Sequence, residues 1–305
     1  MLEIRGFEEE VRRLRLGGEI VGSVHLCIGQ EAIPVGAVGA LDLSRDVIGS
    51  TYRGHGWALA TGLPLRTAFS ELLGRATGSN GGRGGSAYLS ALDHGFLGEN
   101  SIVGGGVPIA CGAALAGRYD GSNRVAMTAF GDGAMNQGAL LESLNFAAAL
   151  ALPVVFVCEN NLWSELTPLS AMVVDPVLAN RAAAFGMRAS RIDGNDPHAV
   201  RVAAQEAVEH ARGGAGPVFI EAMTERIAGH YIGDPETYRT PADHERLAAQ
   251  DPLPRERARL AAAGVAPEVL EALESEVTAE VQEASVAALA EPLADPSTAE
   301  EHVYA

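Results

Sequence analysis

One stretch leaves this chain few ways to fold. Arg124 to Phe130 reads RVAMTAF, an apolar run that stops abruptly at Gly131-Asp132-Gly133. A segment of helical period follows, with Leu140, Leu141, Leu144 and Ala148 on one face. A second apolar run, Pro153 to Cys158, ends at Glu159-Asn160-Asn161. Runs that are apolar throughout suit strands covered on both faces, as in a parallel sheet. The order is strand, Gly-rich turn, helix, strand, polar end. From Asp132 to Asn161 the chain has roughly the thirty residues of one βαβ unit. A right-handed crossover brings both side chains to one edge of the sheet. Ligands of open α/β sheets bind beyond the carboxyl ends of the strands. A carboxylate and an amide oxygen there form a natural partial ligand set for Mg²⁺, which keeps its other positions for phosphate and water. The adjoining glycines allow close backbone approach, and their N–H groups can face the same phosphates. Taken alone, Gly-Asp-Gly is also an ordinary turn; the paired asparagines at the next strand end turn the balance.

The rest of the chain repeats the pattern. Apolar strand candidates lie at Asp46–Ser50, Met187–Ile192 and Pro217–Ala222, and helix candidates at Phe7–Leu16, Pro176–Phe185 and Pro197–Arg212. Alternation of this kind implies a doubly wound, mostly parallel α/β sheet. Its expected extent is residues 1–240. A helical C-terminal extension, 241–305, packs on the same domain, broken at Asp251-Pro252 and carrying many Glu on one face from Val269 to Leu289. A length of 305 residues with 47% hydrophobic residues supports such a core. The net charge of −17 argues against nucleic acid or an anionic membrane as partner. The three cysteines sit in apolar runs without metal-like spacing, and read as reduced core residues. The acidic N-terminus has no apolar leader and no run reaches membrane-spanning length, so the expectation is a cytoplasmic protein.

Several polar stretches punctuate this frame. His25-Leu26-Cys27-Ile28-Gly29-Gln30-Glu31-Ala32 leads into a small-residue helix running to Ala40. Thr51-Tyr52-Arg53-Gly54-His55-Gly56 puts a guanidinium on a Gly-flanked loop, a fit for bidentate phosphate binding or an exposed turn. Ser79–Ser86 (SNGGRGGS) reads as a flexible loop or a plain linker. Asn100–Pro108 is Gly-rich and opens a helix, yet its glycines are consecutive and no acidic residue closes a second strand, so it is no dinucleotide fingerprint. Thr224–Arg239 is a long polar loop with Arg226 and His230, a connector or a functional lid.

In this order the motifs HLxxGQEA, YRxHG, GDG with NN, and RxxGH resemble the alpha subunits of the thiamine-diphosphate-dependent decarboxylase/dehydrogenase component of 2-oxo acid and acetoin dehydrogenase complexes. The segments NNLWSELTP and GHxxGDPxTYR are more similar to the acetoin branch than to the pyruvate branch. The resemblance spans essentially the whole chain. It implies thiamine diphosphate and Mg²⁺ as cofactors. Asp132, Asn161 and the Trp163 carbonyl become the metal ligands; Gly133 and Ala134 contact the diphosphate through their backbone, and Tyr52, Arg53, Arg226 and His230 hold it. Ser101 and Val103 touch the aminopyrimidine through backbone groups. His25 lies near the reacting end, and His25 and His230 are the candidate catalytic residues. His55 is a nearby polar support.

Five positions depart from the family: Ala87-Tyr88 replaces the usual Met-His, Ser101 the frequent Gly, Trp163 the usual Tyr, and Tyr231 the Ser that mitochondrial pyruvate-type relatives phosphorylate. The expected activity is cleavage of a 2-oxo acid or acetoin, a small-molecule substrate, with transfer of the acyl group to a lipoyl-bearing acyltransferase. The implied assembly is α₂β₂, with a beta subunit completing the site. Two other readings stand beside it: a biosynthetic carboligase or acyl-transfer enzyme without a lipoyl partner, and a non-catalytic regulatory homologue. Retention of Asp132 and Asn161 weighs against the last.

Overall fold

The computed structural model describes residues 1–301. Its centre is a six-stranded sheet, parallel at every pairing. In chain order its strands are β1 (Val47–Thr51), β2 (Phe96–Asn100), β3 (Ala126–Gly131) and β4 (Val154–Asn160). A small antiparallel hairpin follows, β5 (Trp163–Ser164) and β6 (Thr167–Pro168), before β7 (Arg188–Asp193) and β8 (Val218–Met223) return to the sheet. The spatial order is β2-β1-β3-β4-β8-β7. The winding reverses between β1 and β3, and a crevice opens there at the carboxyl ends.

Helices cover both faces. They are α1 (Leu2–Gly17), α2 (Ala32–Val38), α3 (His55–Ala60), α4 (Leu65–Leu72), α5 (Gly106–Tyr119), α6 (Gly138–Ala149), α7 (Leu178–Ala183) and α8 (Pro197–Arg212). Three more close the chain: α9 (Pro241–Ala249), α10 (Pro252–Ala262) and α11 (Pro267–Leu289). Alternate strand residues feed two cores. Met127, Ala129, Val155, Val157 and Ile220 join α1, α3, α4 and α8. Ala126, Phe130, Val154, Phe156 and Phe219 join α5, α6 and α7 on the other face. Helix α11 lies against α1 and α4, with Val281 and Ala288 in the first core. The last four residues of the anticipated C-terminal extension, 302–305, lie outside the described residues.

Several boundaries differ from expectation. Strands β3 and β4 run one or two residues beyond their apolar runs, because ladder pairing continues to Gly131 opposite Glu159. The polar strand end is thus still strand. Helix α1 begins earlier, since Ile4 also belongs to its buried stripe. Helix α7 is shorter than 176–185: Asp175 accepts from Val177 N–H and the Asn180 amide ahead of it, and Gly186 ends it at φ +81°. Helix α2 stops at Val38, two residues short of Ala40. The C-terminal segment carries a second break, at 263–266. Strand β2 was not anticipated; its sequence, FLGEN, has neither an apolar run nor clean alternation.

The glycine-dense loop at 79–86 is not a plain linker. Glu71, fully buried on α4, accepts backbone N–H groups from Asn80, Gly82, Gly84 and Gly85 at 2.6–3.2 Å. Each carboxylate oxygen takes two donors, so one side chain orders the whole loop and carries Ser86 to His55. Glu71→Ala orphans those donors at about 1–3 kcal/mol each where they stay dry. We expect hydrogen exchange across 78–85 to rise at least tenfold in Glu71→Ala while β3 and β4 keep their protection; unchanged exchange in the loop would refute the assignment.

Candidate functional site

The crevice beyond β1, β3, β4 and β8 is lined by residues from each of their carboxyl ends. Tyr52 and Arg53 follow β1, Asp132, Gly133 and Ala134 follow β3, and Asn161 and Trp163 follow β4. Arg226 and His230 come from the segment leaving β8, and Val103 from the loop before α5. The sheet thus brings together ten residues singled out from sequence, drawn from five separate segments.

Two do not line the cavity. The Ser101 hydroxyl lies 3.5 Å from the Ala87 carbonyl. His25 sits at the side, its ring 4.4 Å from Tyr52 and 5.0 Å from His230, centroid to centroid. Its Nδ1 is buried with no partner. Burial first, then the Arg53 charge, push His25 down to about 3 and His230 down to about 4. Both rings are therefore neutral near pH 7, able to accept or donate one proton each.

One wall of the cavity is cationic and lacks counter-charge. Arg53 donates to the Leu26 carbonyl at 2.7 Å and the His230 carbonyl at 2.8 Å. Arg226 donates to the Glu165 carbonyl and the Tyr238 hydroxyl, both at 2.9 Å. Both guanidiniums also face Nδ1 of His230, at 3.4 and 3.2 Å. Arg53 is 6% and Arg226 2% exposed, yet among the described residues neither is ion-paired with a carboxylate. Burial and the neighbouring Arg226 push Arg53 down to about 10. Arginine is seldom buried unless paired, so this wall is built for an anion that supplies the missing charge.

The same cavity is also lined by acidic and oxygen-rich groups. Asp132 is 1% exposed, and one of its oxygens has no partner. Burial raises its carboxyl to about 7. The Asn161 amide donates to Gln30 Oε1 at 3.1 Å, while its oxygen takes the Trp163 N–H at 3.2 Å. That oxygen keeps a second lone pair. Gly133 packs so closely on the β5–β6 hairpin that an added Cβ would collide with the Ser164 hydroxyl. Among the described residues no cluster of three or more His, Cys, Asp or Glu is placed to hold a metal. A pair of one carboxylate and one amide oxygen falls outside that class and suits a hard cation that retains phosphate ligands.

The Trp163 ring packs on Tyr238, centroids 4.8 Å apart. Tyr238 donates to Asp234, which also takes the His230 N–H. The loop after β8 is thereby folded down over the cavity. Gln30, Thr51, Glu159, Ser164 and Glu165 also line the site. Sequence reasoning passed over them. The signal for Glu159 was present, since a carboxylate opened the ENN strand end, but nothing in the sequence showed its partners. His55 is not a loose polar neighbour: it forms a fully buried ion pair with Glu8, Nδ1 to Oε2 at 2.9 Å.

Known proteins fit this geometry. The dehydrogenase E1 component family matches residues 1–297. The chain is 47% identical over 254 residues to the alpha subunit of acetoin:2,6-dichlorophenolindophenol oxidoreductase of Bacillus subtilis (strain 168), covering 83% of this chain and 76% of that one. It is 40% identical over 299 residues to the pyruvate dehydrogenase E1 component subunit alpha of Rhizobium meliloti (strain 1021), 97% of this chain and 86% of that one. A second acetoin-type alpha subunit, from Cupriavidus necator, is 40% identical over 306 residues, 100% of this chain and 92% of that one. With buried cations and an orphaned carboxylate lining one cavity, and likeness along almost its full length, the chain belongs to the dehydrogenase E1 component family, as an oxidoreductase subunit.

Proposed function

We propose that this chain is the alpha subunit of a thiamine-diphosphate-dependent dehydrogenase component that cleaves a 2-oxo acid or acetoin and passes the acyl group to a lipoyl-bearing acyltransferase. It works in the cytoplasm as an α₂β₂ assembly with a beta subunit. Residues 1–240 form the cofactor domain, and the described part of 241–305, up to residue 301, a helical extension packed upon it. The observation that carries this reading is that a pair of buried guanidiniums without a carboxylate partner lines the same cavity as a buried carboxylate with an unpartnered oxygen. A diphosphate satisfies the first and Mg²⁺ the second, and together they neutralise both.

The residues divide the work. Arg53, Arg226 and His230 would hold the diphosphate, together with Tyr52 and the backbone of Gly133 and Ala134. Asp132, Asn161 and the Trp163 carbonyl hold Mg²⁺. Ser101 and Val103 contact the aminopyrimidine through backbone groups. When bound, the cofactor supplies an electron sink for cleavage of a C–C bond. Neutral His25 and His230 stand side by side, where each can hold or pass a proton at the reacting end. The loop carrying Tyr231 and Tyr238 keeps water from that end.

A site divided between two chains makes a sharp test. Purified alpha chain, beta chain and their mixture would be assayed for reduction of 2,6-dichlorophenolindophenol by acetoin, pyruvate and branched-chain 2-oxo acids with thiamine diphosphate and Mg²⁺. The mixture should be active and the alpha chain alone should not. Turnover by the alpha chain alone would overturn the half-site reading.

A further inference from the structure

Between Asn161 and Trp163 the backbone turns sharply, and it does so on a leucine. Leu162 has φ +70°, in the left-handed region. For a bulky side chain that conformation is strained, and it persists only where the surroundings impose it. What imposes it here is Asn160, the first of the paired asparagines, which touches neither cofactor nor metal in the reading above. We propose that Asn160, braced by Glu221, is a positioning residue: it pins the Leu162 turn and thereby fixes where Asn161 and the Trp163 carbonyl present their oxygens. This rests on the Mg²⁺ reading above, and goes beyond it in assigning residues that do not touch the ion.

The Asn160 amide has one orientation. Its oxygen accepts the Leu162 N–H at 3.1 Å, and its NH₂ donates to Glu221 Oε1 at 2.7 Å. A backbone N–H can only donate, so the oxygen faces Leu162. The other end is set as firmly. Glu221 Oε1 also accepts from Arg191 at 2.7 Å, and Oε2 accepts the Ala179 N–H at 3.0 Å. Neither of those donors can accept, so Glu221 presents acceptors on both sides, and the Asn160 NH₂ meets one of them. One residue further, the Asn161 oxygen accepts the Trp163 N–H at 3.2 Å in the same pattern. Two successive Asx turns thus wrap the strained residue.

Little else holds the turn. Asn160 and Glu221 are fully buried on the neighbouring strands β4 and β8, so bulk water does not replace a lost partner there. The Asn160 carbonyl is committed to the Thr224 N–H at 3.0 Å. The Leu162 side chain packs against the core shared with α5, α6 and α7, and its carbonyl accepts the Leu169 N–H at 2.8 Å. Asn161 is tied to Gln30 through its NH₂. When Asn160 is removed, the relief open to the chain is rotation about the Leu162 backbone, and that rotation displaces Trp163.

Asn160→Ala removes the pin. Leu162→Gly removes the need for one, because glycine takes this φ without strain. The test titrates Mn²⁺ in the presence of thiamine diphosphate, with the full chain assembled with its beta subunit, and electron paramagnetic resonance counts the bound ion. Denaturant unfolding of the full chain reads stability. Asn160→Ala should weaken Mn²⁺ about tenfold, the lower end of the range seen when the supports of metal ligands are lost. The double variant Asn160→Ala, Leu162→Gly should recover most of that affinity, yet unfold more easily than the single variant because it loses the leucine's packing. A role in stability alone would move both readouts the same way. Wild-type affinity in Asn160→Ala, or a double variant that binds no better than the single, would overturn the proposal.

If Asn160→Ala does not fold, Asn160→Ser carries the same test. Its hydroxyl makes this turn more weakly, so affinity should fall about threefold and return with Leu162→Gly; no fall, or no return, would equally overturn it. Asp132→Ala separates the two levels of argument. If it loses the ion while Asn160→Ala binds as the wild type does, only the positioning role is wrong. If Asp132→Ala itself binds Mn²⁺ as the wild type does, the metal assignment fails and the positioning role falls with it.

Discussion

Arg53→Met is expected to weaken binding of magnesium pyrophosphate about a hundredfold without lowering the thermal stability of the ligand-free chain by a comparable amount. A hydrogen bond from a charged donor is worth about 1.5–3 kcal/mol, and about 2.7 kcal/mol is a hundredfold in affinity. Arg53 sits next to Arg226 with no carboxylate on either, and that proximity together with burial is what drives its ionisation down to about 10. Two like charges held close in a water-poor wall are a cost the empty chain carries until an anion arrives. Against this, methionine orphans the Leu26 and His230 carbonyls, so the two effects on the free chain partly offset. Pyrophosphate alone is the right probe, because it tests the anion wall without the rest of the cofactor. At a hundredfold excess over the dissociation constant it should stabilise the wild type by about 2.7 kcal/mol, and the variant by about 0.4 kcal/mol at the same concentration. Arg53→Lys should fall between, keeping the charge and losing the planar fork. Equal shifts in melting temperature for wild type and Arg53→Met would remove Arg53 from the anion site.

Much of this site was legible because its residues stand where a buried strand stops. The change from apolar run to Gly-Asp-Gly, or to Glu-Asn-Asn, marks the carboxyl end of a central parallel strand, and the doubly wound fold gathers those ends in one crevice. Asp132, Asn161 and Arg53 were readable for that reason. Strand β2 was not, since its five residues include a glycine, a Glu and an Asn, and Glu99 is buried by tertiary packing alone. Glu71 was equally silent. In sequence it is one charge on an amphipathic helix; in space it orders a loop that composition describes as a linker. The bonds of Asn161 to Gln30 and of Trp57 to Glu159 link segments more than a hundred residues apart, so no local pattern encodes them. What sequence conveyed was the chemistry at the strand ends. What it withheld was the set of buried partners that hold those groups in position.

The largest stability effect should come from Glu8, on the far side of the same β1 loop. Glu8 and His55 are fully buried and paired at 2.9 Å. The Cys27 N–H also donates to Glu8, and His55 Nε2 faces the Ser86 carbonyl and hydroxyl. Glu8 raises His55 to about 9 against the desolvation that opposes it, and His55 in turn holds Glu8 below the usual carboxylate range. Breaking such a pair from one side costs about 3–5 kcal/mol, and Glu8→Gln should do so at pH 7. Glu8→Gln, His55→Gln should cost less than the single change, because two amides can still accept from Cys27 and donate to Ser86. The pH dependence has a definite sign. A histidine whose ionisation is raised on folding contributes stability that is complete below about 6.5 and is lost as pH climbs through about 9; the depressed Glu8 contributes above its ordinary value and is lost in acid. His25 and His230, pushed the other way, destabilise below about 6.5 and are neutral bystanders above it. Glu99, raised to about 8 by burial, also makes stability fall with rising pH; the His55 charge pulls it down and the Glu8 charge pushes it up, so removing both changes it in opposite senses. The difference between wild type and double variant therefore reads the pair together with its coupling to Glu99. Denaturant unfolding at a series of pH values should show that difference shrinking by an amount on the order of 3 kcal/mol between pH 6.5 and 9. A difference that stays flat across this interval would mean that His55 is buried uncharged, and that its bond to Glu8 is an ordinary neutral one.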